Sequence, residues 1–423
     1  MRKFVVRGGF RLNGDVYISG MKNAALPIIF ACILNKGKNI LRNVPRVSDI
    51  NLSAEILRAL GAEVEWLDEE VLAVDTSGIV SQSAPYEFVS KMRASTYLIG
   101  AMLARFGEAM VGMPGGCDFG DRPIDQHVKG FESLGAKISF VDGSLRADAS
   151  GGLVGSSIYL DTASVGATVN IIIASVFAKG TTVILNAACE PHIADLANFL
   201  NRCGANIIGA GTNKIKIHGV GVDELHPAEY TISPDMIEAG TFMVAAATAG
   251  GCVNIRNIIP EHLETVTAKL GETGVGVEVF DDYITVTSNN KFRGVTIKTW
   301  PYPGFPTDMH PQFSAMLCYA VGMSTINEGI WEGRFRYVSE LQKMGATIDV
   351  SGNSARIMGG IRLTGAQVGA MDLRAGAALI IAALAAEGTS EITGVEYIER
   401  GYCDFDKKLR ALGAEVYLVD GGQ

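Results

Sequence analysis

Residues 56–66 read ILRALGAEVEW, and the phrase returns five times along the chain. It recurs as FESLGAKISFV (131–141), FLNRCGANIIG (199–209), KLGETGVGVEV (269–279), LQKMGATIDV (341–350) and LRALGAEVYLV (409–419). Each copy is a helix-like segment, a small-residue break and an alternating strand. The marker glycines are Gly61, Gly135, Gly204, Gly274, Gly345 and Gly413, spaced by 74, 69, 70, 71 and 68 residues. Intervals this regular identify a repeat architecture.

A second phrase shares the period. An apolar stretch ends in glycine and a β-branched strand follows, as in NAALPIIFACILNKG (23–37) and VGATVNIIIASVFAKG (165–180). Its glycines are Gly37, Gly107, Gly180, Gly251, Gly322 and Gly388, expected to end helices in the left-handed conformation. The first helix of each unit is apolar all round and should be buried on every side. The second, as in DINLSAEILRAL (49–60), carries charges and should show one face to water. Central helices with strands and amphipathic helices outside them make an inside-out α/β body. Six units of about 70 residues divide into two domains of three. The spacing places the split near residue 230, with a domain 22–230 and a discontinuous domain 1–21 plus 231–423.

The composition is that of a folded globular chain. Of 423 residues, 48% are hydrophobic and 19% charged, with a net charge of −9, which excludes a disordered chain. Glycine is scattered without a three-residue period, which excludes collagen. The acidic balance argues against nucleic acid as a partner. Seven cysteines, odd in number and without CxxC, suit a reducing, cytoplasmic compartment. The six histidines form no metal-ligand pattern. The opening MRKFVVRGGF reads as a strand, not a signal peptide. The apolar run 375–386 is 12 residues long and reads as a buried helix, with no membrane partner implied.

The repeat also locates the chemistry. Before the six buried helices stand Lys22 and Asn23, Arg93, Ser164, Asp235 with Glu238, Asp308, and Asp372 with Arg374. Helix N-termini favour anions, so Asp and Ser there fit ordinary caps. Lys22, Arg93 and Arg374 have the wrong sign, and two readings fit them: an anion lies between each cation and its helix, or each pairs with a neighbouring carboxylate. The strand-to-helix loops add GMPGGCDFGDRP (112–123) with Cys117 and Arg122, then Arg334 and Arg400. The first loop is glycine-rich, lid-like, and matches neither GK[ST] nor GxGxxG. Cys117 is either a reactive thiolate or an ordinary exposed thiol; the other six cysteines read mostly as core. If the two domains face each other, Lys22, Arg93, Arg122, Arg334, Arg374 and Arg400 converge on one cleft suited to phosphate and carboxylate. Asp308 lies among them as a candidate base. From the residues alone, this is a two-domain enzyme closing on anionic substrates.

The stretches SGMKNAALP, KMRAS, PGGCDFGDRPID, SVGATVN, FPTDM, DLRAG and ERGY, with the motif around Arg334, resemble the UDP-N-acetylglucosamine 1-carboxyvinyltransferases from first strand to last helix. That resemblance implies two inside-out α/β domains with threefold pseudo-symmetry. It implies transfer of the enolpyruvyl group of phosphoenolpyruvate to the 3′-hydroxyl of UDP-N-acetylglucosamine, with release of phosphate. No metal or organic cofactor is implied. The reaction opens peptidoglycan precursor synthesis, which bears on cell shape and division. Cys117 would protonate the phosphoenolpyruvate methylene and react with the epoxide antibiotic fosfomycin. Asp308 would take the hydroxyl proton, and Lys22 and Arg400 would join the catalytic set. Phosphoenolpyruvate would be held by Lys22, Asn23, Arg122, Arg334, Arg374 and Arg400. The nucleotide sugar would meet Asn23, Arg93, Arg122, Pro123, Ile124, Asp125, Gln126, Thr162, Ser164, Val165, Gly166, Asp308 and Ile330.

The chain departs from the family at four places. Thr162 stands where some members have Lys, Trp331 and Gly333 replace Phe and Asn of an FENR motif, and Met21 replaces Ala. Three other readings use the same residues: a 5-enolpyruvylshikimate-3-phosphate synthase, which shares fold and donor; a weakly catalytic paralogue that binds the nucleotide sugar; and a repeat scaffold with solvated cations.

Overall fold

The Gly-Ala break of the repeat is a helix C-terminus. In five copies the alanine N–H reaches back five residues to a helix carbonyl: Ala62 to Leu57, Ala136 to Phe131, Ala205 to Leu200, Ala346 to Leu341 and Ala414 to Leu409, all at 2.9–3.1 Å. The glycine N–H closes the inner bond, as Gly61 does to Arg58 at 3.0 Å. This double closure requires a left-handed residue between, and the six marker glycines have φ of 91–112°. At Gly61 a side chain would also meet the Gly78 carbonyl oxygen at 2.6 Å.

The computed structural model describes residues 2–80, 89, 92–112 and 124–420; Cys117, Arg122 and Pro123 lie outside them. The described residues divide into two units, 20–233, and 2–19 with 234–420. In the first, buried helices α1 (Lys22–Ala31), α3 (Tyr97–Phe106) and α5 (Val165–Ser175) alternate with amphipathic helices α2 (Ser48–Leu60), α4 (Asp125–Ser133) and α6 (Pro191–Arg202). In the second, α7 (Met236–Ala249), α9 (His310–Leu317) and α11 (Leu373–Ala385) are the buried set. Their amphipathic partners are α8 (Glu264–Thr273), α10 (Val338–Lys343) and, after a short α12 (Val395–Ile398), α13 (Phe405–Ala411). All fourteen residues of α7 are buried, and α7, α9 and α11 pack against one another. Each large apolar side chain so buried contributes about 1.5–3 kcal/mol. No described helix is long and apolar enough to cross a membrane; all of the run at 375–386 but its last residue, the C-cap Ala386, lies in the buried α11.

The strands are richer than the repeat phrases foretell. Lys38–Arg42 pairs antiparallel with Val71–Asp75, which returns to Glu63–Asp68. On its other edge lies a short parallel strand, Glu229–Thr231. Five of the six copies thus hold a hairpin, and five of the six described sheets also carry the parallel edge strand. The hairpin between Lys137–Val141 and Ser144–Asp148 turns at Asp142 and Gly143, with φ of 48° and 73°, as a two-residue turn requires.

The N-terminal segment belongs to the unit that contains the C-terminus. Arg2–Arg7 sits between Thr389–Thr393 and Glu415–Asp420, filling the hairpin place of the sixth repeat. Leu12–Tyr17 is the parallel edge of Gly251–Arg256. The other unit closes its first sheet with Glu229–Thr231, from the end of its third repeat.

Two sequence expectations need correction. The glycines of the second phrase are left-handed, with φ of 75–116°, but only Gly107 caps its helix. The others sit where the following strand begins, several residues past the helix in most cases, so they turn the chain into the sheet. Of the cysteines, Cys32, Cys203 and Cys318 are buried, Cys189 and Cys403 are half-buried, and Cys252 is exposed. Cys252 falls on the outward alternation of its strand.

Candidate active site

In the unit 2–19 with 234–420, a 3-10 turn, Thr307–Met309, leads into α9. Proline at the second position of α9 has no N–H to leave unpaired at a helix start. The turn presents Asp308 to two arginines. Arg334 Nη2 donates to Asp308 Oδ1 at 2.6 Å, and Arg374 Nε and Nη2 donate to Oδ2 at 3.2 and 3.1 Å. The arginine side chains are 5% and 6% exposed, that of Asp308 30%. Burial alone would push the Asp308 carboxyl up. Arg374 and then Arg334 outweigh it and hold the group well below the usual carboxylate range.

Arg374 enters from the first turn of α11. Asp372 caps that helix, its Oδ1 accepting from the N–H groups of Arg374 and Ala375 at 2.8 and 2.9 Å. The guanidinium also lies over the Tyr402 ring, 5.5 Å from its centroid, and its Nη1 is buried without a hydrogen-bond partner among the described residues. Arg334 comes from the loop after the strand Met323–Asn327, and its Nη1 donates to Thr307 Oγ1 at 2.7 Å. That hydroxyl donates to Glu328 Oε2 at 2.8 Å. Ile330 lies in the same loop, its N–H on Glu328 Oε1 at 2.8 Å. Arg400 follows α12 and is partly buried. Neither Thr307 nor Glu328 stood out in the sequence.

In the unit 20–233, Lys22 opens α1 and Asn23 follows it. Lys22 Nζ donates to Asp49 Oδ2 at 2.9 Å, and both side chains are largely buried. For Lys22 and Arg374, the pairing with a neighbouring carboxylate is therefore the arrangement observed. Arg93 opens the 3-10 turn before α3.

The N-termini of α4 and α5 form a second cluster. Ile124 precedes α4, whose first turn carries Asp125 and Gln126. Gln126 Nε2 donates to Asp125 Oδ2 at 2.8 Å and Asp161 Oδ2 at 3.1 Å, while its Oε1 accepts the Asp161 N–H at 2.9 Å. Lys129 Nζ reaches Asp161 at 2.8 Å, beside exposed Thr162. Ser164 caps α5 by accepting from Ala167 N–H at 3.3 Å, and Val165 begins that helix. At Gly166 a Cβ would lie 2.9 Å from His127 Nε2. Sequence reasoning missed His127. Its Nδ1 meets Asn170 Nδ2 at 2.9 Å, and burial, then Arg93, push its pKa down to about 4. Asn170 Oδ1 accepts from Gly100 N–H and its Nδ2 donates to Thr96 O, so the amide orientation is fixed and His127 Nδ1 is the acceptor.

No group of three or more His, Cys, Asp or Glu side chains among the described residues could hold a metal ion. The chemistry of the arrangement suits anions. Buried guanidinium groups beside a carboxylate present forked donors to phosphate or carboxylate.

Comparison with known proteins gives a consistent picture. Residues 6–409 match the family described as EPSP synthase (3-phosphoshikimate 1-carboxyvinyltransferase). The chain is 52% identical over 417 residues to UDP-N-acetylglucosamine 1-carboxyvinyltransferase 2 of Clostridium acetobutylicum, covering 98% of this chain and 99% of that one. It is 51% identical over 417 residues to the UDP-N-acetylglucosamine 1-carboxyvinyltransferase of Clostridium botulinum, with 98% and 99% covered. The enolpyruvyl transferase NikO from Streptomyces tendae superposes with a TM-score of 0.90 at 26% identity, covering 100% of this chain and 99% of that one. An EPSP synthase from Acinetobacter baumannii shares the fold, with a TM-score of 0.79 at 18% identity and 99% and 100% covered.

Proposed function

The chain belongs to the enolpyruvyl transferases of the EPSP synthase family, and within it to the UDP-N-acetylglucosamine 1-carboxyvinyltransferases; we propose that it transfers the enolpyruvyl group of phosphoenolpyruvate to the 3′-hydroxyl of UDP-N-acetylglucosamine, releasing phosphate. The observation that carries this reading is identity at about half of all positions, over 98% of the chain, with a protein of that name. A shikimate-phosphate acceptor is disfavoured, because the EPSP synthase superposed here shares only 18% identity.

The chemistry divides into three tasks. Cys117 protonates the methylene carbon of phosphoenolpyruvate, and positive charge develops at C2. The sugar hydroxyl adds there and loses its proton; phosphate then leaves as the new methyl group gives up a proton, which restores the carbon–carbon double bond. Lys22, Asn23, Arg122, Arg334, Arg374 and Arg400 hold the donor and stabilise its phosphate and carboxylate as charge moves. Arg93, Pro123, Ile124, Asp125, Gln126, Thr162, Ser164, Val165, Gly166 and Ile330 hold the nucleotide sugar, with the α5 N-terminus facing its phosphates.

Asp308 takes the hydroxyl proton, but a carboxylate gripped by two guanidinium groups is a weak base. Its basicity rises when a substrate anion draws an arginine away, and Arg374 Nη1, which has no hydrogen-bond partner among the described residues, supports such an exchange. Anion binding then switches on the base. The enzyme works in the cytoplasm, opens peptidoglycan precursor synthesis and is a target of fosfomycin.

The test is phosphate release from phosphoenolpyruvate with UDP-N-acetylglucosamine or shikimate-3-phosphate as acceptor. Release with the nucleotide sugar alone is expected; release with shikimate-3-phosphate alone overturns the reading. Fosfomycin with UDP-N-acetylglucosamine should add its mass at Cys117, and C117A should bind the nucleotide sugar without turnover. Labelling at another cysteine would remove Cys117 from its role.

A further inference from the structure

Glu328 is a buried carboxylate, 4% exposed, that none of the three tasks above uses. It stands at the start of the loop that carries Ile330 and Arg334. Oε1 accepts the N–H groups of Ile330 at 2.8 Å and Trp331 at 3.0 Å, and Oε2 accepts the Thr307 hydroxyl at 2.8 Å. His310 Nε2 lies 3.5 Å from the same Oε2. Burial, then Arg334, hold this imidazole well below its ordinary pKa, so it is neutral.

The directions of these bonds are forced. A guanidinium only donates, so Thr307 Oγ1 must accept from Arg334 Nη1. A carboxylate only accepts, so the single hydroxyl hydrogen of Thr307 points at Glu328. Glu328 therefore sets the polarity of Thr307, and Thr307 sets where the Arg334 fork lies against Asp308. The same carboxylate ties down the loop backbone at Ile330.

We propose that Glu328 is a positioning residue for the anion-binding arginine: acting through Thr307, it orients Arg334 toward the substrate anion and holds Ile330 in register with it. This rests on the activity proposed above, with phosphoenolpyruvate as the anion. In E328Q the two backbone amides keep the amide oxygen on their side, so the NH2 group faces Thr307. Two donors then converge on one hydroxyl oxygen, and the hydroxyl hydrogen has no acceptor. T307V removes the relay altogether, whereas T307S keeps it.

The experiment measures phosphate release at varied phosphoenolpyruvate and saturating UDP-N-acetylglucosamine, with thermal unfolding as the check on folding. Wild-type turnover tests the activity itself; the variants test Glu328. E328Q and T307V are expected to lower kcat/KM for phosphoenolpyruvate about tenfold or more, the scale of a hydrogen bond to a charged group, with most of the change in KM. T307S should stay within about threefold of wild type, because the hydroxyl survives. The double variant E328Q/T307V should be no worse than the poorer single variant, since both break one relay. A KM within twofold of wild type in both single variants overturns the proposal, as does multiplication of their effects in the double variant. If E328Q does not fold, T307V against T307S decides: equal loss in the two overturns it.

Discussion

Asp235, Asp308 and Asp372 occupy the same place in three consecutive repeats, at the entrance to a buried helix, yet they divide into two kinds. Asp235 accepts the N–H groups of Ile237 and Glu238 at 2.7 and 3.2 Å. Asp372 does the same for Arg374 and Ala375. Both are N-caps, satisfying donors that a helix start leaves open. Asp308 makes no cap bond; its oxygens are taken by Arg334 and Arg374. Its helix starts through a 3-10 turn and a proline instead. The repeat thus supplies a standard structural use for this aspartate, and the one copy that gives it up holds the charged cluster.

The largest effect should come from replacing the exceptional copy. D308A and D308N are expected to lower phosphate release about 100-fold or more, the range spanned by loss of a group that moves a proton. Turnover within a few-fold of wild type would return Asp308 to the level of its two relatives and remove it from the chemistry. D372A should fall between, because that cap holds the backbone N–H of Arg374 itself.

What the sequence reveals follows how local each constraint is. The Gly-Ala break is legible because a left-handed residue at a helix end acts within six residues. The buried helices are legible because an apolar circumference has one physical meaning. The hairpins and parallel edges are obscure because their partners lie tens of residues away; Arg2–Arg7 pairs across nearly the whole chain. Asp142-Gly143 and Gly352-Asn353, each a two-residue turn between paired strands, are the kind of local sign a hairpin leaves. At the site, the wrong-sign residues Lys22 and Arg374 mark their helix ends from sequence alone. Asp49, 27 residues after Lys22, gives no sign that it is the partner. Thr307 and Glu328 are common residue types whose meaning lies in the direction of their bonds, which no linear pattern carries. Cys252 was misassigned because an apolar neighbourhood in sequence does not fix which face of a strand a residue takes.

A smaller effect should separate stability from turnover. D235A removes two N-terminal hydrogen bonds from a helix buried along its whole length, so unfolding free energy should drop by about 1 kcal/mol. Urea unfolding reads this directly. Turnover of the folded variant should stay within about twofold, because a cap contributes equally to ground and transition states. If D235A loses as much turnover as D308A, the two kinds of aspartate are one, and all three serve the site through the helices they start.

The finest distinction is in acid. The Asp308 carboxyl titrates below its unfolded value near 3.9. Protons therefore bind the unfolded chain first, and the group's contribution is whole above that value and fades as pH falls toward the folded one. The stability gap between wild type and D308N should be flat from pH 7 to 5. It should narrow by less than about 1 kcal/mol by pH 3.5, because only the unfolded state has begun to take up the proton there. Urea unfolding of both proteins at stepped pH measures the gap. A wild type that gains stability relative to D308N as pH falls from 7 to 5, or a gap that does not narrow at all by pH 3.5, would mean that the arginines do not hold the carboxylate down. Asp308 would then be a competent base before any substrate arrives, and the exchange that frees it would be unnecessary.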